Sequence, residues 1–319
     1  MDKFRAVKTS NAAAPRTIEA NVTEPRMRRK VVAVLVALLV IASPGPADAW
    51  GFEAHRYILE RAIALLPAEI RPFFEKYRAS IVEHSIDPDL WRNVGFDAVE
   101  SPRHFVDMDA YGAPPFGELP RDFDEAVKRY GREFVDKNGL LPWRAQEIHV
   151  KLVEAFTQKA TYSRDNIKYF SAFLAHYVSD AQVPFHASLN HDGQLTGQWG
   201  IHSRFEAETF ERYRDALTVT PRPIVAMTSA RDLVFDSLVT SFSHVQAILD
   251  ADKAAVAGRE LYDDEYFAAF YGKVKPILEE RVAQSVTAVA SAIAAAWEVA
   301  GRPAVPLDPP RVPRKVRRQ

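Results

Sequence analysis

Apolar residues recur at helical spacing along most of the chain after residue 50. In the segment HRYILERAIALLP they fall at Ile58, Ala62, Leu65 and Leu66, and Pro67 follows them. Because an α-helix turns once every 3.6 residues, this spacing places the apolar side chains on one face, and the proline marks the end of the helix. The same pattern predicts helices in four further segments: DFDEAVKRYGREFV, RAQEIHVKLVEAFTQKA, RDNIKYFSAFLAHYVSDA and SARDLVFDSLVTSFSHVQAIL.

The sequence has no sustained alternation of the kind that marks strands, and no internal repeat. It therefore predicts an all-α protein, a single multi-helix domain over residues 50–300 that closes with an Ala-rich helix over 273–299. Loops rich in Pro, Gly and Asp interrupt the helices over 87–120 and 184–201. Such long loops in a helical domain are often functional. The tail over 301–319 is rich in Pro and Arg, and we expect it to be disordered.

The N-terminal segment has the features of a secretory leader. From Met27 it reads MRRKVVAVLVALLVIASPGPADAW: a basic start, an apolar run over 31–42, a Pro/Gly break and the small-residue pattern that ends at Ala49. This order is typical of a signal peptide, and the apolar run is short for a membrane span. We predict a leader over 1–49 that is cleaved after Ala49, and a secreted or periplasmic protein. An uncleaved N-terminal anchor is the alternative.

Composition restricts the possible chemistry. The leader holds 8 of the 41 Lys and Arg residues and 4 of the 42 Asp and Glu residues, so the remaining chain carries a net charge of −5. A mildly acidic body argues against avid, non-specific binding to duplex nucleic acid. The chain has no cysteine, which excludes disulfides and thiolate metal ligands. Any metal site must therefore use nitrogen and oxygen ligands.

Histidine and carboxylate residues fall at the spacing of metal ligands in two segments. His176 and Asp180 are four residues apart on a predicted helix and share one face. The proline that follows ends this helix and can turn His186 back toward the same space. In the next segment, GIHSRFEAE, His202 and Glu206 are again four apart. One such pair is a weak signal, whereas two successive pairs predict a metal site.

Further candidate ligands lie upstream. Asp89 and His104 flank a loop within residues 87–120. Cleavage after Ala49 gives Trp50 a free amino group beside its own carbonyl oxygen, a pair of atoms that can chelate a metal ion, and His55 can add a third ligand. We expect the other four histidines to be surface or hydrogen-bonded residues: His84, His149, His191 and His244. Of these, His191 lies in the loop near the site.

With these residues in order, the chain resembles the superfamily of zinc-dependent phospholipases C and single-strand-specific nucleases. The resemblance extends over residues 50 to about 215 and implies a mainly α-helical fold with three zinc ions in a cleft. The segments SPRHFVDMDAYG, PFGELPRDFDEAVKRYG and LLPW are similar to bacterial secreted proteins of the zinc-dependent phospholipase C family. The candidate ligands in chain order are Trp50, His55, Asp89, His104, His176, Asp180, His186, His202 and Glu206.

The resemblance implies an assignment of these ligands to three ions. The first ion takes Asp89, His104, His176 and Asp180; the second takes Trp50, His55 and the other oxygen of Asp180; the third takes His186, His202 and Glu206. It implies hydrolysis of a phosphoester by a metal-bound hydroxide. Asp89 is also a candidate proton acceptor. Arg92 is a candidate clamp for a phosphate oxygen, with a surface ion pair as the alternative role.

The substrate is open between a phospholipid and a single-stranded nucleic acid or nucleotide. Glu53 matches a choline-contacting acidic residue of the phospholipases. Phe105 and Asp107 match residues that help to hold a base in the nucleases, but the phospholipases have the same element, so it does not discriminate between the two. The Glu206 ligand favours the phospholipases, and with them transient contact with a membrane surface. A non-catalytic, zinc-stabilised module that binds lipid or a partner is a further alternative. Manganese or iron can also occupy nitrogen and oxygen sites.

Overall fold

The computed structural model describes residues 50–158 and 162–307. Across these ranges the chain forms helices joined by loops, and it forms no β-strand there. The predicted all-α fold is therefore confirmed. The predicted leader over 1–49, with its signal peptide, lies outside the described residues, as does the tail from residue 308 onward.

Long helices form the body of the protein, and short helices occupy the predicted loops. The α-helices are α1 (Phe52–Leu65), α2 (Arg71–Lys76), α3 (Arg78–Glu83), α4 (Asp87–Trp91), α5 (Asp97–Glu100), α6 (Phe123–Tyr130), α7 (Arg132–Lys137), α8 (Leu141–Thr157), α9 (Ser163–Asp180), α10 (Ile201–Ser203), α11 (Thr209–Tyr213), α12 (Ala230–Phe242), α13 (Val245–Val256) and α14 (Asp264–Val299). Tighter or wider helical turns lie at His84–Ile86, Arg92–Phe96, Ser101–Arg103, Met108–Tyr111, Pro184–Ala187, Arg204–Glu208 and Arg214–Ala216.

Two segments predicted as single helices are divided in the structure. Gly131 separates α6 from α7 with a φ of +85°, a left-handed backbone conformation that glycine adopts without steric cost. Between α12 and α13 the chain turns at Ser243 and His244. The amphipathic pattern continues across both breaks, which is why spacing alone predicts one helix in each case.

Helix α14 is the longest helix of the described residues. It begins at Asp264 rather than at residue 273, because the side chain of Asp263 caps it by accepting a hydrogen bond from the Tyr266 N–H at 2.8 Å. In the described part of the chain it alone is long and apolar enough to cross a bilayer, but 72% of its most apolar window is buried in the protein. It packs against α1, α8, α9 and α13, so it is a core helix.

Helix α9 lies at the centre of the fold, between α8 and α14, and it also contacts α1 and the turn at His84–Ile86. Every residue from His176 to Asp180 is buried. The last turn of this core helix therefore carries polar side chains into the interior. Buried polar groups require partners, and those partners come from α1 and from the two predicted loops.

Candidate metal centre

Four buried side chains converge at the end of α9, and we call Asp89, His104, His176 and Asp180 the first group. His176 Nε2 lies 3.4 Å from Asp180 Oδ2. His104 Nδ1 lies 3.1 Å from each of these two atoms. Asp89 Oδ1 lies 3.6 Å from His104 Nδ1 and 3.8 Å from His176 Nε2. The first predicted loop, over 87–120, thus brings Asp89 and His104 to the helix that carries His176 and Asp180.

The separations in the first group match those of ligands around one metal ion. Nitrogen and oxygen ligands lie about 2.1 Å from zinc, which places two ligands of a tetrahedral site about 3.4 Å apart. The five separations in this group range from 3.1 to 3.8 Å. The Asp89, His104 and His176 atoms therefore lie close enough together to hold a divalent ion, and Asp180 Oδ2 lies within 3.4 Å of the two histidine atoms.

The second group contains His55 and shares the carboxylates of the first. His55 Nε2 lies 3.4 Å from Asp180 Oδ1 and 3.9 Å from Asp89 Oδ2, and its ring stacks on that of His176 with centroids 4.0 Å apart. The two oxygens of Asp180 therefore face different groups, as in a bridging carboxylate. His55 Nε2 and Asp180 Oδ1 are buried and make no hydrogen bond within the described residues. Such a burial is unfavourable, and a shared cation removes that cost.

Ser179 contacts two residues near the second group and determines which ring nitrogen of His55 carries the proton. Its carbonyl accepts from the indole N–H of the fully buried Trp50 at 2.8 Å. Its hydroxyl donates to the carbonyl of His176 at 2.9 Å and lies 3.0 Å from His55 Nδ1. Because the hydroxyl proton is already used, His55 Nδ1 must carry the proton of this last bond. The lone pair of His55 is then on Nε2, the nitrogen that faces Asp180. Ligation through the backbone of Trp50 stays a prediction.

Two more histidines are held in the same tautomer by backbone carbonyls. His176 Nδ1 lies 2.8 Å from the carbonyl of Ser85, and His186 Nδ1 lies 2.6 Å from the carbonyl of His104. A carbonyl can only accept, so each Nδ1 carries a proton and each Nε2 has a free lone pair. Hydrogen bonds of this kind orient metal-ligating histidines and raise their basicity.

The third group consists of His186, His202 and Glu206, which are all buried. His202 Nε2 lies 3.1 Å and His186 Nε2 lies 3.9 Å from Glu206 Oε2. Glu206 lies in a widened turn in which the N–H of Thr209 bonds to the carbonyl of Arg204, five residues earlier. Widened turns of this kind occur frequently at functional sites. The ligand atoms of this group lie within 4.8 Å of one another, as they do in the trios His55, His176, Asp180 and Asp89, His104, His176.

Burial disfavours charge within the three groups: it raises the pKa of the Asp180 carboxyl and favours neutral imidazoles at three of the histidines. Burial lowers the pKa of His55, His176 and His186 well below the ordinary value, and neighbouring histidines lower it further. Burial also acts to lower the pKa of His104, but contacts with Asp180 and other carboxylates outweigh it and raise that pKa to about 9. A proton on His104 offsets part of the local negative charge, a role that a bound cation takes over when it displaces the proton.

A buried arginine holds the third group against the rest of the protein. Arg204 lies between His202 and Glu206 in sequence. Its guanidinium lies 3.1 Å from Asp252 Oδ1 on α13, and Nε donates to the hydroxyl of Tyr266 on α14 at 3.1 Å. One terminal nitrogen donates to the carbonyl of Trp199 at 2.7 Å. The segment with two candidate ligands is thus attached to two core helices and to the loop that precedes it.

Two of the predicted substrate and catalytic residues lie in ion pairs near the first and second groups. Arg92 Nη1 lies 3.6 Å from Asp89 Oδ1, and its Nε donates to Ser101 at 3.1 Å. Arg92 therefore makes an ion pair with a buried carboxylate, not a surface pair, and its guanidinium stands beside the candidate ligands. Its role as a phosphate clamp stays a prediction. Glu53, in the first turn of α1, forms ion pairs with Arg56 and Arg214 at 2.9 Å each. The Glu53 carboxylate is half exposed, and it already has two cationic partners.

The other two predicted substrate residues follow His104 along the chain. Phe105 is partly buried against Gly139, where an added Cβ would lie 2.1 Å from the Phe105 carbonyl oxygen. The φ of +99° at Gly139 also requires glycine. Asp107 is buried, and burial, with a smaller effect from Asp109, raises its pKa to about 7. Both residues therefore lie close to the centre in sequence, but their side chains are packed rather than open to solvent.

Sequence reasoning missed several residues that support the centre. Glu100 lies 3.6 Å from His104 Nε2 and accepts a hydrogen bond from Tyr177. Burial acts to raise the pKa of Glu100, but contacts with His104, Tyr177 and Arg103 lower it to about 2. The four-residue spacing from Glu100 to His104 was a usable signal in the sequence. Ser179, beside Asp180, gave no signal, because a serine next to a ligand is common.

The remaining histidines lie outside the three groups. His84 pairs with Asp87 at 2.8 Å, and His244 lies 3.9 Å from Glu280. His191 is exposed in the loop between His186 and His202, and its Nδ1 lies 3.2 Å from the side-chain nitrogen of Gln194. His149 differs from expectation, because it is buried in α8 and its Nε2 makes no hydrogen bond within the described residues.

No protein-family model matches the sequence, and no curated protein matches it either. Three buried groups of imidazole and carboxylate side chains are arranged so that they can hold metal ions. This donor set suits zinc and other divalent ions that accept nitrogen and oxygen ligands.

Proposed function

We propose that the protein is a zinc-dependent phosphoester hydrolase that cleaves phospholipid head groups in the manner of a phospholipase C. The observation that carries the proposal is the position of Asp180, whose two oxygens face His176 and His55 at 3.4 Å each. A carboxylate that bridges two ion sites brings two cations close together. Paired cations are suited to a reaction in which one phosphorus–oxygen bond forms while another breaks.

The residues that would hold the ions are the nine candidate ligands, with Trp50 bound through its amino and carbonyl groups after removal of the leader. Zinc ions bound there would supply Lewis acidity toward a phosphate oxygen and toward water. The fit of the site rests on separations of 3.1 to 3.9 Å between ligand atoms and on the buried His55 Nε2 and Asp180 Oδ1, which make no hydrogen bond in the described part of the chain.

The chain's own residues bind and orient the substrate in this proposal. Arg92 is positioned by Asp89 and Ser101 and would bind a non-bridging phosphate oxygen. Asp89 would serve as a ligand and as the acceptor of the proton that the attacking water loses. Burial of the groups keeps bulk water from screening these charges.

A single-strand nuclease acting on the same centre is the second candidate function. It is favoured by Trp199, whose exposed indole lies in the loop between two candidate ligands, His186 and His202. Exposed aromatic rings stack on unpaired bases of any sequence. Phe105 is less suited to this role because its ring is packed against Gly139.

The test uses the protein secreted after removal of the leader, with its metal content measured. It is incubated with a mixed phospholipid dispersion, and in parallel with single-stranded RNA and DNA, with and without a chelator. We expect chelator-sensitive release of diacylglycerol. Chelator-sensitive release of nucleotides alone establishes the nuclease, and a fully metallated protein that cleaves neither substrate favours the non-catalytic binding module.

A histidine substitution tests whether the activity depends on the candidate metal centre. His176→Ala should abolish both activity and the metal of the first group, because His176 Nε2 is a candidate ligand of that group. The matched control is His84→Ala, which removes a partly exposed histidine outside these groups. Full activity in the His176→Ala protein contradicts the proposed function.

A further inference from the structure

Two loops connect candidate metal ligands, and we name them by their position. The first ligand loop is residues 90–103, between Asp89 and His104. The second ligand loop is residues 187–201, between His186 and His202. The two loops start from adjacent points, because the Nδ1–H of His186 donates to the carbonyl of His104 at 2.6 Å and the N–H of Val106 donates to the carbonyl of His186 at 2.9 Å.

The first ligand loop exposes apolar side chains. All residues from 93 to 99 are exposed, and the loop turns at Gly95 with a φ of +100°. Val94 is 69% exposed, Phe96 is 60% exposed and Val99 is 57% exposed. The base of the loop is held by the hydrogen bond from Arg92 to Ser101. A loop anchored in this way presents its apolar tip to solvent instead of folding it into the core.

The second ligand loop has the same character. Leu195 is 69% exposed and Trp199 is 63% exposed. The loop is nevertheless fixed at both ends, since the N–H of Leu189 donates to Asp109 at 2.7 Å and the side chain of Gln198 donates to the carbonyl of Leu249 at 2.8 Å. Among the described residues, seven of the seventeen exposed large apolar side chains lie in the two ligand loops. This concentration distinguishes the loops from a surface with scattered apolar residues.

The charge of the two loops indicates which class of partner can bind to them. Residues 93–101 and 187–201 contain no Lys and no Arg. Arg92 and Arg103 stand at the base of the first loop and pair with Asp89 and Glu100. Binding to a nucleic acid depends on cationic contacts with phosphates, and binding to an anionic membrane also depends on basic residues. An apolar surface without basic side chains, with a Trp at its edge, suits the interface of a zwitterionic bilayer.

We propose that the two ligand loops together form the surface by which the protein docks on a zwitterionic phospholipid bilayer. Val94, Phe96, Leu195 and Trp199 enter the boundary between head groups and acyl chains. Because both loops end at candidate metal ligands, docking brings the phosphoester of a lipid to the metal centre. This inference rests on the proposed function and specifies its substrate as lipid in an aggregate.

The test measures binding and hydrolysis separately. The zinc-loaded protein is sedimented with phosphatidylcholine vesicles, and its hydrolysis of vesicle lipid is compared with its hydrolysis of a soluble diester, bis(p-nitrophenyl) phosphate. In the Val94→Ser/Phe96→Ser protein we expect the affinity for vesicles to fall about tenfold or more, because the apolar contribution to interfacial burial is lost. Vesicle hydrolysis should fall with it, whereas zinc content and hydrolysis of the soluble diester should stay at the wild-type level.

Two further variants keep the result interpretable. Leu195→Ser/Trp199→Ser tests the second loop by the same measurements, and a similar loss of vesicle binding is expected. Leu261→Ser, at a side chain that is 71% exposed outside both loops, should change nothing. Unchanged vesicle binding in both double variants overturns the proposal. A dimer seen by light scattering without vesicles, and abolished by the same substitutions, also overturns it in favour of self-association.

The outcomes for the docking surface and for the proposed function are distinguishable. A zinc-loaded protein that binds vesicles through the loops but hydrolyses neither lipid nor the soluble diester supports the docking surface and contradicts the hydrolase. Hydrolysis of the soluble diester without loop-dependent vesicle binding supports the hydrolase and contradicts the docking surface. Loop-dependent binding of single-stranded RNA in place of vesicles also contradicts it and favours the nuclease.

Discussion

The Nδ1–H of His186 donates to the backbone carbonyl of His104 at 2.6 Å, so a candidate ligand of the third group is oriented by a candidate ligand of the first. The two residues are 82 positions apart. The bond fixes the tautomer of His186 and joins the ends of the two ligand loops. The first and third groups are therefore connected through the backbone, and a shift of the segment at His104 or at His186 should affect both.

Removal of the bridging carboxylate should empty two ion sites. In Asp180→Asn the negative charge of the bridge is lost, and the NH₂ group of the amide can donate to the Nε2 lone pair of His55 or His176 but cannot bind a cation. We expect the metal content measured by elemental analysis to fall to about one ion per chain, held by the third group. The matched control is Asp215→Asn, because the Asp215 side chain is fully exposed. A wild-type metal content in Asp180→Asn contradicts the bridging role.

Ser179→Ala should weaken metal binding without removing a ligand. The hydroxyl of Ser179 accepts the Nδ1–H of His55 and so holds the lone pair of that ring on Nε2. Loss of such a supporting bond lowers metal affinity roughly 10- to 100-fold. A competition titration with a chelating dye measures the change. Ser243→Ala is the control, since its hydroxyl bonds only to a local helix carbonyl. Equal affinities in the two variants would show that Ser179 does not orient His55.

Asp252→Asn should destabilise the protein through Arg204. The pair is buried, with 3.1 Å between the guanidinium and the carboxylate. Loss of one partner from a buried pair leaves an uncompensated charge and costs about 3 to 5 kcal/mol. Urea unfolding followed by circular dichroism measures this cost. Glu298→Gln, which removes the exposed pair with Arg302, should change the free energy of unfolding by less than about 1 kcal/mol.

Asp107 should make the folded protein less stable as the pH rises. Burial raises its pKa to about 7 from the ordinary 3.8, so between pH 4 and 7 the folded state binds more protons at this residue than the unfolded state does. Stability from this group is then present below pH 4 and is lost as the pH rises through 7. The difference is on the order of 2 to 4 kcal/mol.

The check is the pH dependence of urea unfolding in Asp107→Asn. The neutral amide has no such loss, so its free energy of unfolding relative to wild type should increase between pH 5 and pH 8. The control Asp124→Asn, on the outer side of α6, should run parallel to wild type. A parallel curve for Asp107→Asn would mean that Asp107 is charged in the folded protein at pH 5.

The helices could be predicted because their signal is local. The spacing that predicts α1, α8 and α9 depends on residues a few positions apart, and the structure places those helices where the pattern does. The breaks at Gly131 and at Ser243 could not be predicted, because the amphipathic pattern runs through them. The position of each break depends on the direction in which the following helix must run in order to pack against the core.

The sequence by itself determined the ligand pairs that lie on one helical segment. His176 with Asp180, and His202 with Glu206, are brought together by the helical repeat alone. Only the tertiary structure decided which pairs meet and in what protonation state. The carbonyl of Ser85 that orients His176, and the joint use of Asp180 by His104 and His55, join positions 76 to 125 residues apart. Such contacts depend on how loops close over the core, and no short stretch of sequence encodes that closure.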